Sequence, residues 1–317
     1  MPTVLIVTSR EDVTADLVVR ACDGVGSDVL VHRIDPADIS KGSLHLKGII
    51  KEGRTAFSLA DSHRVTNSPD ITAIWWRKPS VDETSEAVTQ LYGMLRTLDH
   101  ALWVNHPDAN LSAGHKPVQL KAAAELGFKV PDCLITDNPE DAQEFIREHR
   151  GEVIVKPLRK GEFVPTQAVP ADFRPDEPVF LQRRIIKTHD IRLTLVEQRG
   201  FPCRITTDTD ALDWRVEQEK ATYEPISVAR PLMEKCQRYM KHFGLQYAAF
   251  DFAVDANGTA WFLECNPNGE WGFIESRTKM SISRAMAEHL IWSPIDRLAF
   301  DGKGGHQASS THKARTL

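Results

Sequence analysis

Three oxygen-bearing side chains late in the chain are spaced so that a divalent cation could bind between them. Asp251, Glu264 and Asn266 lie on two apolar segments separated by Asp255-Ala-Asn-Gly258. Apolar and polar residues alternate in both segments, which predicts two β-strands joined by a hairpin turn. Mg²⁺ prefers carboxylate and carbonyl oxygens together with substrate phosphates. The hairpin therefore predicts a magnesium site, although an ordinary hairpin with a solvated acidic face also fits so short a segment.

The same alternation predicts which side chains share a face of the hairpin. In the first strand, Phe250 and Phe252 point to one side and Asp251 to the other. In the second strand, a strict period of two places Phe262 on the same side as Glu264. We therefore expect Phe262 on the acidic face and Cys265 on the apolar one.

Basic residues stand at the ends of further predicted strands. Lys156 ends the apolar run that starts at Val153 and is followed by Pro157, which is typical of a strand that stops at its rim. A lysine at that rim could neutralise a phosphate. Asp190 and Arg192 lie two residues apart in another predicted strand, so they share a face, and a structural ion pair is the simple alternative to a binding role.

Composition limits the class of protein. The chain of 317 residues is longer than one typical domain, and its net charge of −5 argues against a nucleic-acid binder. No apolar run approaches the roughly 18 residues of a membrane span. The five cysteines are scattered and show no Cys-Xaa-Xaa-Cys spacing, which favours reduced thiols over disulfides or zinc. We expect a cytoplasmic protein with no membrane partner.

The first hundred residues alternate between strand and helix patterns. Strands are predicted at 3–8, 29–32 and 71–76 and a helix at 12–23, which is typical of an α/β domain with a parallel sheet. A long helix is predicted across 83–102. There is no Gly-Xaa-Gly-Xaa-Xaa-Gly sequence, so nothing here predicts a dinucleotide site.

The order of these elements resembles the ATP-grasp ligases. A lysine strand, a linker strand, an Asp-Xaa-Arg strand and an Asp…Glu-Xaa-Asn hairpin follow one another within roughly residues 105–290. The resemblance implies an α/β (α+β) ATP-grasp fold with a Rossmann-like N-terminal domain, and it implies ATP and Mg²⁺ as cofactors. It also implies that Lys116 and Lys156 meet the nucleotide phosphates, and that Asp251, Glu264 and Asn266 hold the metal.

Other site residues follow from the same resemblance. Gln182, Arg183 and Ile185 occupy the hinge that binds adenine through main-chain groups in this family, and Asp190 belongs to the nucleotide site. Arg192 corresponds to the arginine that meets the γ-phosphate and the developing acyl phosphate. The usual glycine-rich phosphate loop is replaced here by residues 157–165, which contain only Gly161.

Three segments narrow the resemblance to the microviridin-type ligases, also called graspetide synthetases. They are Ile74-Trp-Trp-Arg-Lys-Pro79, Asp213-Trp-Arg215 and Glu264-Cys-Asn-Pro-Asn-Gly-Glu-Trp271. These enzymes join Asp or Glu side chains of a ribosomally made precursor peptide to Ser/Thr hydroxyls or Lys amines, forming macrolactones or macrolactams. The resemblance implies that Arg77 and Arg215 act on the peptide side of the site, whereas core packing is the simple alternative for Trp75 and Trp76.

The resemblance also implies boundaries. It divides the chain into an N-terminal domain at 1–110, a small ATP-grasp subdomain at 111–186, a large one at 187–300 and a disordered tail at 301–317. Two alternatives stay open: a RimK-like or glutathione-synthetase-like ligase that adds an amino acid to a peptide, and a non-catalytic peptide-binding protein of the same fold. A phosphotransferase is a weaker third. The precursor peptide, the bond type and the choice between monomer and homodimer are not predicted.

Overall fold

The computed structural model describes residues 1–26, 28–79, 85–156, 166–208 and 212–304, with side chains left undescribed at 87 and 294–304. Contacts divide the chain into two compact units, Met1–Val104 with Ser283–Leu317, and Asn105–Ile282. The predicted phosphate loop at 157–165 lies outside the described residues, as does the predicted tail from residue 305 onward. The domain boundaries drawn from the resemblance stay a prediction.

The first unit contains a parallel sheet with strand order β2-β1-β6-β7 and a small antiparallel sheet with order β3-β4-β5. Its elements are β1 (Thr3–Val7), α1 (Val13–Asp23), β2 (Leu30–Ile34), α2 (Ala37–Ser40), β3 (His45–Lys51), β4 (Arg54–Ala60), β5 (Val65–Asn67), β6 (Ile71–Trp76), α3 (Glu86–Leu95) and β7 (Leu102–Val104). Val4 to Val7 are fully buried. A strand buried on both faces is typical of a parallel sheet, so the predicted α/β opening is confirmed.

One predicted element of this unit is wrong. The helix expected across 83–102 is described only as α3, and Leu102–Val104 is instead a strand that pairs in parallel with β6. Helix α3 ends at Leu95, and a turn that includes the turn-favouring Asp99 precedes the strand. An apolar segment as short as Leu-Trp-Val pairs with an available sheet edge because β-branched and aromatic residues pack well there.

The second unit contains two antiparallel sheets, of order β10-β9-β11-β8 and β14-β13-β12-β15-β16. Its elements are α4 (Pro107–Gly114), α5 (Lys116–Glu125), β8 (Cys133–Thr136), α6 (Pro139–Glu148), β9 (Val153–Lys156), β10 (Gln167–Ala168), β11 (Val179–Arg183), β12 (Lys187–Val196), β13 (Arg199–Thr206), β14 (Thr222–Pro225), α7 (Arg230–Phe243), β15 (Tyr247–Asp255), β16 (Ala260–Asn266) and α8 (Gly272–Thr278). Helix α9 (Ile282–Gly304) follows.

The larger sheet has a core side built from aromatic rings. Phe250, Phe252 and Phe262 are fully buried and pack against Phe128 and Tyr239. Helix α7 packs an apolar face on this core and is capped by Gly244. Gly244 has a φ of 68°, a left-handed conformation that is common at the ends of helices and that glycine adopts without strain. The helix and aromatic core cover one face of the sheet, so the polar side chains of β12, β15 and β16 are collected on the other.

Among the residues that the structure describes, no helix is both long enough and apolar enough to cross a membrane.

Candidate active site

A row of charged side chains crosses three neighbouring strands of the larger sheet. Arg192 on β12 lies opposite Asp251 on β15, and Asp251 lies opposite Glu264 on β16. Side chains that are directly opposite on one face lie close enough to interact. Arg192 Nη1 donates a hydrogen bond of 2.7 Å to Asp251 Oδ2. The pairing of three strands thus builds the centre of the site from residues far apart in the sequence.

A β-bulge places Glu264 in this row. Asp251 pairs with Glu264 but Phe252 pairs with Phe262, so Leu263 is the extra residue on β16. Two residues on one strand then oppose one on the other, and the period of two is broken. The predicted position of Phe262 beside Glu264 is therefore wrong, because Phe262 lies in the core against Phe252.

Arg215 reaches the two carboxylates from a separate segment. Its Nη2 lies 2.7 Å from Asp251 Oδ2 and 2.8 Å from Glu264 Oε1. Asp213 begins the short 3-10 helix at Trp214–Glu217 by accepting a hydrogen bond from the Arg215 backbone N–H, at 3.1 Å. The buried Trp214 ring packs against Phe273. One capped and anchored turn therefore holds the guanidinium over the carboxylates of Asp251 and Glu264.

The first predicted phosphate lysine lies at the start of α5. Lys116 Nζ is 3.4 Å from Glu264 Oε2. The sequence did not reveal how this helix is fastened: buried Gln119 donates 2.8 Å to the Cys265 carbonyl and accepts 3.0 Å from the Cys265 N–H. A buried glutamine in an alanine-rich helix was the available signal. Because both bonds go to the residue next to Glu264, Lys116 and Glu264 are held in register.

Asn105 is a second structural residue that sequence reasoning missed. Its side-chain oxygen accepts hydrogen bonds from the Gln246 and Tyr247 N–H groups, at 2.7 and 2.9 Å. Its amide nitrogen donates to the Tyr247 carbonyl at 2.8 Å and to the Pro267 carbonyl at 2.9 Å. Asn105 thus ties the start of β15 to the turn after β16. Nothing in its sequence neighbourhood signals this role.

Lys156 joins the same charge cluster from the smaller sheet. Burial lowers the pKa of its ammonium group and nearby Lys116 lowers it further, whereas the charge of Glu264 acts in the opposite direction. A partly desolvated ammonium group gains most from an anionic partner. Lys116 and Lys156 therefore both lie close enough to Glu264 for their charges to act on it, and their contact with nucleotide phosphates stays a prediction.

The four cations control the ionisation of Glu264. Burial alone would raise its pKa, but the charges of Arg215, Lys116 and Lys156, with that of Arg192, hold the pKa well below its ordinary value. Burial also lowers the pKa of Arg215, but Asp251, Glu264 and Asp213 outweigh that effect and raise it. Glu264 is consequently a carboxylate throughout the physiological range, which is the form a metal ion requires.

The donor set fits a hard divalent cation. Asp251 Oδ1 is buried and has no hydrogen-bond partner among the described residues, so it has a lone pair directed away from Arg192 and Arg215. An unpaired buried carboxylate oxygen is costly unless a cation completes it. Asn266 is exposed at the end of β16, where its Oδ1 accepts from the Asn268 N–H at 3.0 Å. The described residues hold no group of three or more His, Cys, Asp or Glu suited to a metal, so any site here combines two carboxylates with an amide.

The predicted hinge residues separate onto two faces. Gln182 is 1% exposed and its Oε1 has no hydrogen-bond partner within the described part of the chain. Its Nε2 lies 3.3 Å from Cys133 Sγ. Arg183 points to the opposite face of β11, where its guanidinium stacks 4.6 Å from the Trp261 ring. Arg183 and Ile185 line a cavity of about 350 Å³ there. Adenine binding by this hinge stays a prediction.

Asp190 and Arg192 share a face of β12, as predicted, but they pair with different residues. Asp190 Oδ2 accepts from Lys187 Nζ at 2.6 Å, whereas Arg192 pairs with Asp251. Burial raises the pKa of Asp190 to about 6, although Lys187 acts to lower it. The simple ion pair between these two residues is therefore not formed.

Arg77 lies in the first unit and its role stays a prediction. Its side chain is buried, with Nε 3.4 Å from Asp12 Oδ2, and its guanidinium lies 5.9 Å from the Trp75 ring. Breaking a buried ion pair by removing one partner commonly costs about 3–5 kcal/mol. A loss of activity on substituting Arg77 will therefore need a parallel measurement of folding.

Solved structures of peptide-modifying ligases share this fold. An RiPP-associated ATP-grasp ligase from Chryseobacterium gregarium, in complex with ADP and a leader and core peptide, is 24% identical, with 92% of this chain and 96% of that chain covered and a TM-score of 0.80. Macrocyclase MdnC from Microcystis aeruginosa MRC, bound with precursor peptide MdnA, is 26% identical over 92% and 100%, with a TM-score of 0.79. Macrocyclase MdnB from the same organism is 25% identical over 92% and 100%, with a TM-score of 0.71.

The scan of protein-family models and the search of curated proteins give no match. The fold and the arrangement of lysines, arginines and carboxylates define an ATP-grasp ligase. The likeness to macrocyclases MdnC and MdnB confirms the resemblance to the graspetide synthetases seen in the motifs of this chain.

Proposed function

We propose that this protein is an ATP-dependent carboxylate ligase that closes rings in a ribosomally made precursor peptide. It activates Asp or Glu side chains of the peptide as acyl phosphates. A Ser/Thr hydroxyl or a Lys amine then attacks each acyl phosphate and displaces inorganic phosphate, which gives a macrolactone or a macrolactam. An ATP-consuming reaction on a newly translated peptide fits the cytoplasm, so we propose that location as well.

The observation that carries the proposal is the row of Arg192, Asp251 and Glu264 with Arg215 above it. Cations outnumber carboxylates around Glu264, whose pKa is lowered by four neighbouring positive charges. Such an excess of positive charge suits a triphosphate and the anionic carboxylate that attacks it. Structures of similar fold with ADP and with leader, core or precursor peptides support both the nucleotide and the peptide.

Asp251, Glu264 and Asn266 are the residues that would hold Mg²⁺. A divalent ion held by these residues would supply positive charge that offsets the negative charge developing during phosphoryl transfer. Because Asp251 Oδ1 is without a hydrogen-bond partner among the described residues, it is free to act as a ligand while Oδ2 holds Arg192.

The cationic side chains divide the remaining work. Lys116 and Lys156, both close to Glu264, neutralise the nucleotide phosphates. Arg192 stabilises the transferring phosphoryl group, because the fixed fork of N–H donors on a guanidinium can bind two phosphate oxygens at once. Arg215 orients the peptide carboxylate or the acyl phosphate made from it. Positioning and electrostatics supply most of the rate, and the scheme needs no covalent nucleophile on the protein.

Mass spectrometry tests the proposal directly. The purified protein is incubated with ATP, Mg²⁺ and a candidate precursor peptide, which is sought among short reading frames beside its gene that are rich in Thr/Ser/Lys and Asp/Glu. The peptide should lose the mass of one water for each ring, with one ADP formed per ring. Methanolysis then opens esters and leaves amides intact. A second incubation also contains free amino acids; addition of one of them to the peptide would replace the proposal with a RimK-like activity, and ATP-independent binding without product would indicate a non-catalytic protein.

A further inference from the structure

Lys187 makes two contacts that connect the first residue of β12 to the segment carrying Arg215. Its Nζ donates 2.6 Å to Asp190 Oδ2 and 3.3 Å to the Leu212 carbonyl. The Lys187 side chain is 17% exposed and that of Asp190 only 8%. An ammonium group carries three donors and no acceptor, so a single lysine can hold both oxygens at once.

A second β-bulge makes this arrangement possible. Lys187 pairs with Asp255 and His189 pairs with Val254, so Thr188 is an extra residue on β12. In a regular strand, residues three apart point to opposite faces. The added residue turns Lys187 to the face of Asp190, and bulges that re-aim a side chain are frequent beside active sites.

The Leu212 carbonyl leads directly to the active-site arginine. Asp213 follows it, is buried, and caps the turn that contains Arg215. Arg215 then contacts Asp251 and Glu264. Lys187 is thus linked to the two carboxylates by its hydrogen bond to the Leu212 carbonyl, by the peptide chain from Leu212 to Asp213, and by the hydrogen bonds of Arg215.

We propose that Lys187 is a positioning residue that anchors the Leu212–Arg215 segment and sets the place of the Arg215 guanidinium. The anchoring is a property of the fold, whereas its effect on catalysis rests on the function proposed above. Lys187 acts through the Leu212 carbonyl and through Asp190, and it does not itself need to touch the peptide or the nucleotide.

Two variants separate the anchor from the ion pair. Lys187→Met alone would leave Asp190 buried without its cation, which can prevent folding. The double variant Lys187→Met/Asp190→Asn removes that charge as well as the anchor. The single variant Asp190→Asn removes the charge but keeps the lysine on the Leu212 carbonyl, so it is the matched comparison. Lys41→Met, at an exposed lysine of the first unit, controls for loss of one surface charge.

Hydrogen–deuterium exchange of the ligand-free protein measures how firmly the Leu212–Arg215 segment is held, without any assumption about activity. The Arg215 and Val216 N–H groups are bonded to Asp213, and the Gln218 N–H to the Arg215 carbonyl. In the double variant, their exchange should accelerate about tenfold or more relative to Asp190→Asn, as expected from the loss of one hydrogen bond from a charged donor. Lys41→Met should exchange as the wild type does. Equal exchange in the double and single variants would overturn the proposal.

Turnover of the precursor peptide measures how the loss of the Lys187 anchor affects catalysis. We expect kcat of the double variant to fall roughly 10- to 100-fold below that of Asp190→Asn, with ATP affinity by calorimetry within about twofold. Lys187→Arg, which keeps a cationic donor at this position, should have a kcat above that of the double variant. A fall in ATP affinity with unchanged exchange would show direct nucleotide binding and overturn positioning. If exchange responds but the wild type forms no rings, the proposed function fails while the anchor stands.

Discussion

Arg215 Nη2 lies 2.7 Å from Asp251 Oδ2, within reach of the same carboxylates that are predicted to hold Mg²⁺. A cation bound there meets the positive charge of the guanidinium. Removing Arg215 should therefore tighten metal binding in the absence of nucleotide, even though catalysis is lost.

We predict that Arg215→Ala increases Mn²⁺ affinity at least tenfold without ATP, because like charges at ~4 Å repel by ~4 kcal/mol at an effective dielectric constant of about 20. Electron paramagnetic resonance of free Mn²⁺ measures this directly. Arg204→Ala, which removes a half-buried arginine from the neighbouring β13, should leave the affinity unchanged. Weaker Mn²⁺ binding by Arg215→Ala would show that the arginine supports the metal.

Glu264→Gln should eliminate ring formation while the protein stays folded. The change removes a carboxylate ligand but keeps the shape of the side chain, and we expect product formation to fall roughly 100-fold or more. Mass spectrometry of the peptide measures ring formation, and circular dichroism checks that the protein stays folded. Glu224→Gln, at an exposed carboxylate on β14, is the matched control. Near-normal turnover by folded Glu264→Gln would contradict the metal assignment.

Lys156 and Arg192 should affect different steps. Lys156→Ala should mainly weaken ATP binding, whereas Arg192→Lys should mainly slow acyl-phosphate formation, because interactions stronger in the transition state appear in kcat. Lysine is chosen at position 192 because it keeps a cation beside the buried Asp251. Calorimetry with ATP and single-turnover release of ADP separate the effects. The same defect in both variants would refute this division.

Gly269 should be needed for the position of Arg192. A Cβ atom there would lie 2.6 Å from Arg192 Nη2 and 2.7 Å from the Ala249 Cβ, so the added methyl group meets atoms on two sides. We expect Gly269→Ala to lower the free energy of unfolding by about 1–3 kcal/mol and to slow turnover. Gly93→Ala, on α3 with open space around it, should stabilise the protein by up to ~1 kcal/mol. Denaturant titration and peptide turnover are measured for both variants. Unchanged stability and turnover in Gly269→Ala would show that Arg192 and Ala249 move to make room for the methyl group.

Asp190 should make stability depend on pH in an unusual direction. Its pKa is about 6 in the folded protein and lower when unfolded, so folding takes up a proton between about pH 4 and pH 6. The contribution of Asp190 is full below its unfolded pKa and is lost as the pH rises through 6. The stability of the wild type relative to Asp190→Asn should thus increase when the pH falls from 6.5 to about 4.5. Urea titrations of both proteins measure this difference, and a constant difference would contradict the raised pKa.

The sequence determined the family and the identity of its charged residues. Motif order alone indicated the ATP-grasp fold, and alternation placed Phe250 and Phe252 in the core opposite Asp251, as the structure confirms. Local patterns suffice here because the period of a strand decides which side chains face the core.

Only the tertiary structure decided how those residues meet. The bulges at Leu263 and Thr188 change the faces of Phe262 and Lys187, and a period of two cannot reveal an inserted residue. The contacts of Arg215 with Asp251 and Glu264 join a loop to two strands, and Gln119 joins a helix to the strand beside them. Such contacts depend on how separate elements pack together. They cannot be inferred from the charges and the apolar–polar periodicity of the sequence, because these describe each element by itself.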